Sequence, residues 1–253
     1  MQTIQERLQQ ERSRKRLRRF RLLLILALIL LTVSGVWWLL RLPGLAMGDI
    51  VIHGSQKITR QEVLAMTNCT EPVNLFRVSK SAILQKLKTD VRVKDVTASY
   101  SWPPVLNVYI EERQPSLYVL NGYKGYVKVD ATGLIMDTGG AIKDSQVPLL
   151  TGISCGNVYI GDNLEEPDIL EVLKFMRPLS KEAKSQIAEV RLDQERKVKV
   201  LLRYGFPVLL GPVDEVALKA DLFMTVFNEF QNKRVKAEYI DLQYSKPYIK
   251  LIK

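Results

Sequence analysis

Residues 96–111, VTASYSWPPVLNVYIE, decide how this chain folds. Val96, Ala98, Tyr100 and Trp102 alternate strictly with Thr97, Ser99 and Ser101, which is the period of a strand with one buried face. Pro103-Pro104 turns the chain, because neither residue can donate a ladder hydrogen bond. Leu106, Val108 and Ile110 then alternate with Asn107, Tyr109 and Glu111, so a second strand follows at once. On the N-terminal side, Ile50-Val51-Ile52 reads as a short strand ending at His53-Gly54, where glycine permits positive φ. Thr59-Arg60-Gln61-Glu62 has capping-box spacing before Val63, Leu64 and Met66, and the stretch Asn68–Pro72 breaks that helix. Ser79 opens a second helix whose Ile83, Leu84 and Leu87 share a face. The order is strand, helix, helix, strand, strand, which predicts two helices on one face of a three-stranded sheet.

Beyond Pro115 the pattern changes to hairpins. Tyr126–Val129 and Leu134–Met136 flank Asp130-Ala131-Thr132-Gly133, a four-residue turn with glycine where a left-handed conformation is needed. Val147–Leu150 reads as a short strand, and Ile169–Met176 as a helix that tolerates Pro167 in its first turn. Strands are expected around Ile187–Leu192 and Val198–Leu202, and Phe206–Leu210 then leads to Gly211-Pro212. One long helix should carry Val213, Val216, Ala217, Ala220, Phe223, Phe227 and Phe230 as a single apolar stripe seated on a sheet. Ala237–Tyr244 and Tyr248–Ile252 close the chain as two strand-like runs around Ser245-Lys246-Pro247.

The other end has a different solvent. Leu22–Leu40 contains no charged side chain, and a helix of that length spans roughly 28 Å, close to the hydrocarbon core of a bilayer. Arg7, Arg12, Arg14, Lys15, Arg16, Arg18, Arg19 and Arg21 precede it, and only Arg41 follows directly. The positive-inside bias therefore keeps residues 1–21 in the cytoplasm and sends the remainder across. Trp37 and Trp38 stand at the outer end, where indole rings favour the interface. The alternative is a cleaved signal peptide, with Gly44 and Ala46 at signal-peptidase spacing and a mature chain starting at Met47. The apolar run is longer than an ordinary signal core, which favours a retained anchor.

The formal net charge of +10 sits mainly on this arm: residues 1–21 carry +6 and the rest only +4. A nucleic-acid binder gathers such charge on its folded domain, so this distribution suits anionic lipid headgroups instead. Two cysteines, Cys69 and Cys155, make no disulfide framework; single thiols are expected, with one bridge between them as the alternative.

Reaction chemistry has little to stand on. His53 is the sole histidine and follows a core strand, which leaves neither a Ser-His-Asp nor a Cys-His arrangement elsewhere. One histidine and two distant cysteines make no zinc set, and no phosphate-binding glycine loop occurs. Glu111-Glu112 lie on opposite faces of a strand, and Glu165-Glu166 read as solvated charge. No catalytic residue, metal ligand or cofactor is assigned. A Ser/Lys membrane-anchored peptidase needs no histidine and is the enzymatic alternative; no serine and lysine are singled out by spacing.

Several words of the sequence resemble the bacterial cell-division family FtsQ/DivIB. Ile52-His53-Gly54 with Thr59 and Val63 looks like the opening of that family's POTRA domain. Glu112-Arg113-Gln114-Pro115 resembles its E-R-x-P exit, and Val129-Asp130-Ala131-Thr132-Gly133 the V-D-x-x-G hairpin after it. Pro148-Leu149-Leu150-Thr151-Gly152 is similar to the P-x-L-x-G strand. Leu210-Gly211 with the following helix keeps the order, and Tyr239-Ile240-Asp241-Leu242-Gln243-Tyr244 looks like Y-V-D-L-R-Y.

The resemblance implies an α+β chain in four parts. These are a cytoplasmic basic arm (1–21), a transmembrane helix (22–40), a β-α-α-β-β POTRA domain (47–115) and a β-rich domain with a long C-terminal helix (116–253). It implies no enzyme and no cofactor, but a scaffold at the division septum of the cytoplasmic membrane. The implied partners are FtsB/DivIC-like and FtsL-like bitopic proteins, and through them the FtsW–FtsI type of septal peptidoglycan synthase. The implied contact lies on the C-terminal strand and nearby helix, which points to Tyr239, Gln243, Tyr244 and Ser245, with Tyr244 as leading anchor. Gln243 stands where the family's pattern has arginine, so a fixed charge and a fork of donors are absent there. An exposed sheet edge would receive the partner as an added strand. The POTRA unit is read either as a further docking edge, through its second strand, or as a rigid spacer. A POTRA-bearing secretion or envelope-assembly protein is the remaining alternative, although no long barrel follows.

Overall fold

The computed structural model describes residues 4–40, 48–69, 73, 75, 78–101, 105–123, 125–203, 205–233, 237–244 and 246–251. A continuous helix, α1 (Ile4–Leu40), begins the chain. Within it Phe20–Leu39 has a mean hydropathy of 2.5 and no buried side chain, so it is long and apolar enough to cross a membrane. The small residues Gly44 and Ala46 and the start at Met47 lie outside the described residues. The chain divides into two compact units, one of Met1–Lys88 with Val96–Ile110 and the other of Thr89–Asp95 with Glu111–Lys253.

A three-stranded sheet is built from β1 (Asp49–His53), β2 (Val93–Ser101) and β3 (Val105–Glu112), in the order β1-β3-β2. β1 runs parallel to β3, with Ile50 opposite Leu106 and Ile52 opposite Val108. That crossover requires intervening helices, which are α2 (Arg60–Met66) and α3 (Lys80–Lys88). Thr59 Oγ1 accepts from Glu62 N (3.2 Å) while Glu62 Oε2 accepts from Thr59 N (3.0 Å), completing the expected capping box. Asn68 ends the turn with positive φ. Ile50, Val63, Ile83, Leu87, Leu106 and Val108 are buried, the expected inward face. Tyr100 is not: the alternation of 96–102 stops being a burial pattern at Ala98, and the tyrosine is exposed. Trp102-Pro103-Pro104 lie outside the described residues. Both β1 and β2 are edges of this sheet.

The second sheet has nine strands, in the order β12-β11-β10-β9-β8-β7-β4-β5-β6. β4 (Pro115–Asn121), β5 (Tyr126–Asp130), β6 (Ile135–Gly139) and β7 (Leu149–Cys155) form one half. β8 (Ile187–Leu192), β9 (Lys197–Leu202), β10 (Pro207–Pro212), β11 (Ala237–Asp241) and β12 (Tyr248–Leu251) form the other. β4 has no counterpart in the sequence reading, which starts its hairpins at Tyr126. It sits between β5 and β7, with Ser116–Val119 all buried, so the residues do not alternate. The expected strand at Val147 starts later and runs further, to Cys155, with Gly152 at positive φ inside it. A Cβ at Gly152 would lie 1.7 Å from the Leu192 carbonyl oxygen, so only glycine fits there.

Helix α4 (Pro167–Met176) buries Ile169, Val172, Leu173, Phe175 and Met176, and a short α5 (Lys181–Gln186), capped by Ser180, precedes β8. The long apolar stripe is carried by two elements, not one. A 3-10 helix, Val213–Lys219, gives way to α6 (Ala220–Lys233), and the change of pitch explains the imperfect three-four spacing. Val213, Val216, Ala220, Phe223 and Phe227 are buried in the sheet's main core. This helical segment is the crossover that makes β10 and β11 parallel. Cys69 and Cys155 are both free thiols.

Candidate partner-binding surface

The end of the larger sheet is set by β12. It pairs antiparallel with β11 and is the last strand in the order, so its outer side carries unpaired backbone groups among the described residues. Tyr248 and Leu251 on this strand are exposed. Their neighbours are held in place: the Tyr239 and Tyr248 rings lie 6.1 Å apart, and Lys250 Nζ sits 5.7 Å over the Tyr239 ring. Lys250 also donates to Glu238 Oε1 at 3.0 Å, which keeps its ammonium pKa above the usual lysine value.

The turn before β12 is anchored from beneath. Leu242 N donates to Leu209 O (2.8 Å), Gln243 N to Asp241 Oδ1 (2.9 Å), and Lys219 Nζ to Gln243 O (3.1 Å). Gly211, at positive φ, lets Gln243 approach closely; a Cβ there would stand 3.2 Å from Gln243 Cγ. The backbone is thus fixed while the Tyr244 side chain, 71% accessible, points into solvent. Leu218, 82% accessible, lies next to Lys219 on the 3-10 helix that reaches this turn.

Three of the four expected site residues lie among the described residues. Tyr239 is on β11, half-buried, and is screened from the edge by β12. Gln243 and Tyr244 lie beyond the end of β11, in the turn. Ser245 lies outside the described residues. The sequence reading passed over Tyr248, Lys250 and Leu251 as site residues and did not single out Leu218. The strand-like run at Tyr248 was visible, but its edge position depends on pairings with distant segments.

Chemistry is sparse elsewhere. His53 Nε2 lies 3.1 Å from Asn107 Oδ1 and its ring stacks on Tyr109 at 4.8 Å, an exposed strand-end contact. Glu111 pairs with Lys94 at 2.5 Å, and Glu166 Oε1 accepts from Gly156 N. Burial raises the pKa of the Cys155 thiol, the opposite of an activated nucleophile. Among the described residues no group of three or more His, Cys, Asp or Glu side chains could hold a metal ion.

Two of the sequence words noted above meet in space. Arg113 Nη1 donates to Asp130 Oδ2, and the same guanidinium donates to the Val91 and Val93 carbonyls (3.1 and 3.2 Å). Residues 45–113 match the family model described as POTRA domain, FtsQ-type. Residues 117–243, half of the chain, match the model described as cell division protein FtsQ/DivIB, C-terminal.

The chain belongs to the FtsQ/DivIB family.

Relatives agree with that assignment. FtsQ of Streptomyces venezuelae is 30% identical over 79% of this chain and 73% of its own length. FtsQ of Geotalea daltonii is 26% identical over 78% and 72%, respectively. DivIB of Clostridium acetobutylicum is 22% identical over 81% and 82%. As an FtsQ/DivIB member, the chain is a cell-division protein of α+β fold with a candidate transmembrane helix. The match to the C-terminal model ends at Gln243, so Tyr244 and β12 lie just past it.

Proposed function

We propose that this chain is a non-enzymatic, single-pass scaffold of the division machinery. Phe20–Leu39 spans the cytoplasmic membrane, the basic arm stays inside, and the folded units lie outside at the septum. There the β-rich unit captures FtsB/DivIC-like and FtsL-like bitopic proteins and so regulates the FtsW–FtsI type of septal peptidoglycan synthase. The observation that carries this reading is the open flank of β12 beside the solvent-facing Tyr244. A partner strand would satisfy the unpaired backbone groups and gain register from them. Tyr244, Tyr248 and Leu218 would supply apolar area, with a phenol tip on each tyrosine for a polar contact. Gln243 contributes through its backbone, which Lys219 and Asp241 pin, while Tyr239 backs Tyr248 from the inner strand. Ser245 belongs to the same proposed contact by its place in the sequence.

A tagged pull-down from gently solubilised native membranes tests the reading, with Tyr244→Glu as control. The wild-type chain should recover small bitopic division proteins, and the variant should lose them while melting at the same temperature. Failure to recover any division protein, even after crosslinking, contradicts the scaffold reading. Equal recovery by both forms moves the contact away from Tyr244.

A further inference from the structure

Helix α1 does not stop where the apolar run begins. It continues unbroken from Ile4 to Leu40, so its basic turns and its candidate span share one axis and one set of faces. No side chain of Phe20–Leu39 is buried; Phe20, Leu24 and Leu31 are all exposed.

The basic residues are not spread evenly around this helix. Within 12–21 every residue is arginine or lysine except Ser13, Leu17 and Phe20. Those three stand four and three apart, the spacing of the a and d positions of a heptad, and so share one face. The same alternation continues into the span through Leu24, Ala27, Leu31 and Ser34. The positive-inside bias calls for cations, but not for a cation-free stripe among them. Small residues at Ala27 and Ser34 let a second helix approach closely. The Ser34 hydroxyl donates to Leu31 O at 3.1 Å, so it can enter such a contact with its proton already placed. A seam sustained over about three heptads is the pattern of two helices packed side by side.

The flanks of the seam decide which helix fits. With Leu17 at a and Phe20 at d, Arg16 takes a g position and Arg14 and Arg21 take e positions. A second copy of this chain would cross the membrane in the same direction, so the two helices would lie parallel. A parallel pair sets g of one helix against the following e of the other, here Arg16 against Arg21 on both sides of the seam. Like charges there oppose self-pairing, whereas carboxylates would complement all three arginines.

We propose that this face receives the helix of a different single-span protein, whose own seam is flanked by carboxylates where it leaves the membrane on the cytoplasmic side. The inference rests on the reading of Phe20–Leu39 as a membrane span and is separate from the contact at β12.

Energy transfer in phosphatidylcholine vesicles tests it. The full chain carries a donor dye through Thr3→Cys, with both native cysteines replaced. The acceptor-labelled probe is a single-span leucine–alanine helix with glutamate at the e and g positions beside its labelled end; a second probe has lysine there. The glutamate probe should bind about 10-fold more tightly than the lysine probe. Leu17→Asn, which leaves every cation in place, should weaken the glutamate probe at least about 5-fold. Arg18→Ala, off the seam and its flanks, should change binding less than about 2-fold. Arg16→Glu combined with Arg21→Glu leaves six basic residues in the arm and should invert the preference between the probes. That preference should persist when phosphatidylglycerol is added. Equal binding of the two probes, unaltered binding in Leu17→Asn, or a preference that does not invert would each overturn the proposal. So would its loss in phosphatidylglycerol, which would assign the arginines to lipid, or transfer between donor- and acceptor-labelled copies of the chain. Release of the chain from the vesicles by alkaline carbonate would remove the span itself and overturn both readings. None of the probe results bears on β12.

Discussion

Asp130 offers the sharpest test of what stabilises the β-rich unit. The residue is 4% accessible and its carboxylate accepts four hydrogen bonds: from Thr132 N (2.7 Å), Thr132 Oγ1 (2.6 Å), Leu134 N (3.0 Å) and Arg113 Nη1. Replacing it with alanine strands two backbone donors and leaves the Arg113 charge, 17% accessible, without its counter-ion. Breaking a buried pair from one side costs roughly 3–5 kcal/mol. Arg113 keeps the Val91 and Val93 carbonyls, so the lower end applies, about 3 kcal/mol. At about 2–4 °C per kcal/mol for a unit of this size, the melting temperature should fall by about 6–12 °C.

Near-UV circular dichroism is the suitable probe, because eight of the ten tyrosines lie beyond Pro115. Arg113→Met and the double variant complete a cycle whose coupling should be about 1–3 kcal/mol. The sign of the pH dependence is also fixed. Burial alone would raise the Asp130 pKa, but the bonds from Thr132, Arg113 and Leu134 outweigh it and hold the carboxyl below its ordinary value. Its stabilisation is therefore complete above the unfolded-state pKa of about 4 and is lost as pH falls through the lower folded value. The gap in melting temperature between wild type and Asp130→Asn should persist from neutral pH down to about 5 and close below about 4. A shift under about 2 °C for Asp130→Ala, or zero coupling with Arg113, would refute this reasoning.

Other perturbations have equally definite outcomes. Gly152→Ala places a Cβ 1.7 Å from the Leu192 carbonyl oxygen at a position of positive φ, and it should cost about 3 kcal/mol or more, read as a lost or strongly lowered thermal transition. Thr59→Ala removes one half of the capping box of α2 and should cost about 1 kcal/mol in denaturant unfolding of the unit that contains it. Replacing Arg14, Lys15, Arg16, Arg18 and Arg19 by glutamate removes the positive-inside signal. Accessibility labelling of a cysteine placed at Tyr159, with both native cysteines replaced, should then report loss of uniform outside exposure.

What the sequence disclosed follows from how local each cause is. The capping box at Thr59, the hairpin turn at Asp130–Gly133 and the buried face of β3 depend on near neighbours, and all three are visible in the residue pattern. β4 escaped because it is buried on both faces, so Ser116–Val119 show no period to read. The division of the last helix at Lys219 and Ala220 escaped because the apolar stripe continues across it. Of the proposed docking surface, Tyr244 is named by the family resemblance, whereas the identity of the edge strand is not. That depends on β10 pairing parallel with β11 across some thirty residues, which leaves β12 outermost. The Arg113–Asp130 pair belongs between these cases: both residues lie in recognisable words, and only the fold shows that they meet.

Hydrogen exchange on β12 tests the central claim most directly, using the full chain in nanodiscs alone and after co-purification with an FtsB/DivIC-like partner. If a partner strand adds to the sheet edge, amides of Tyr248–Leu251 should gain protection by about 10-fold or more, while those of β6 at the opposite edge stay unchanged. Unaltered exchange throughout β12 in a complex that remains assembled would contradict the claim and place the partner elsewhere.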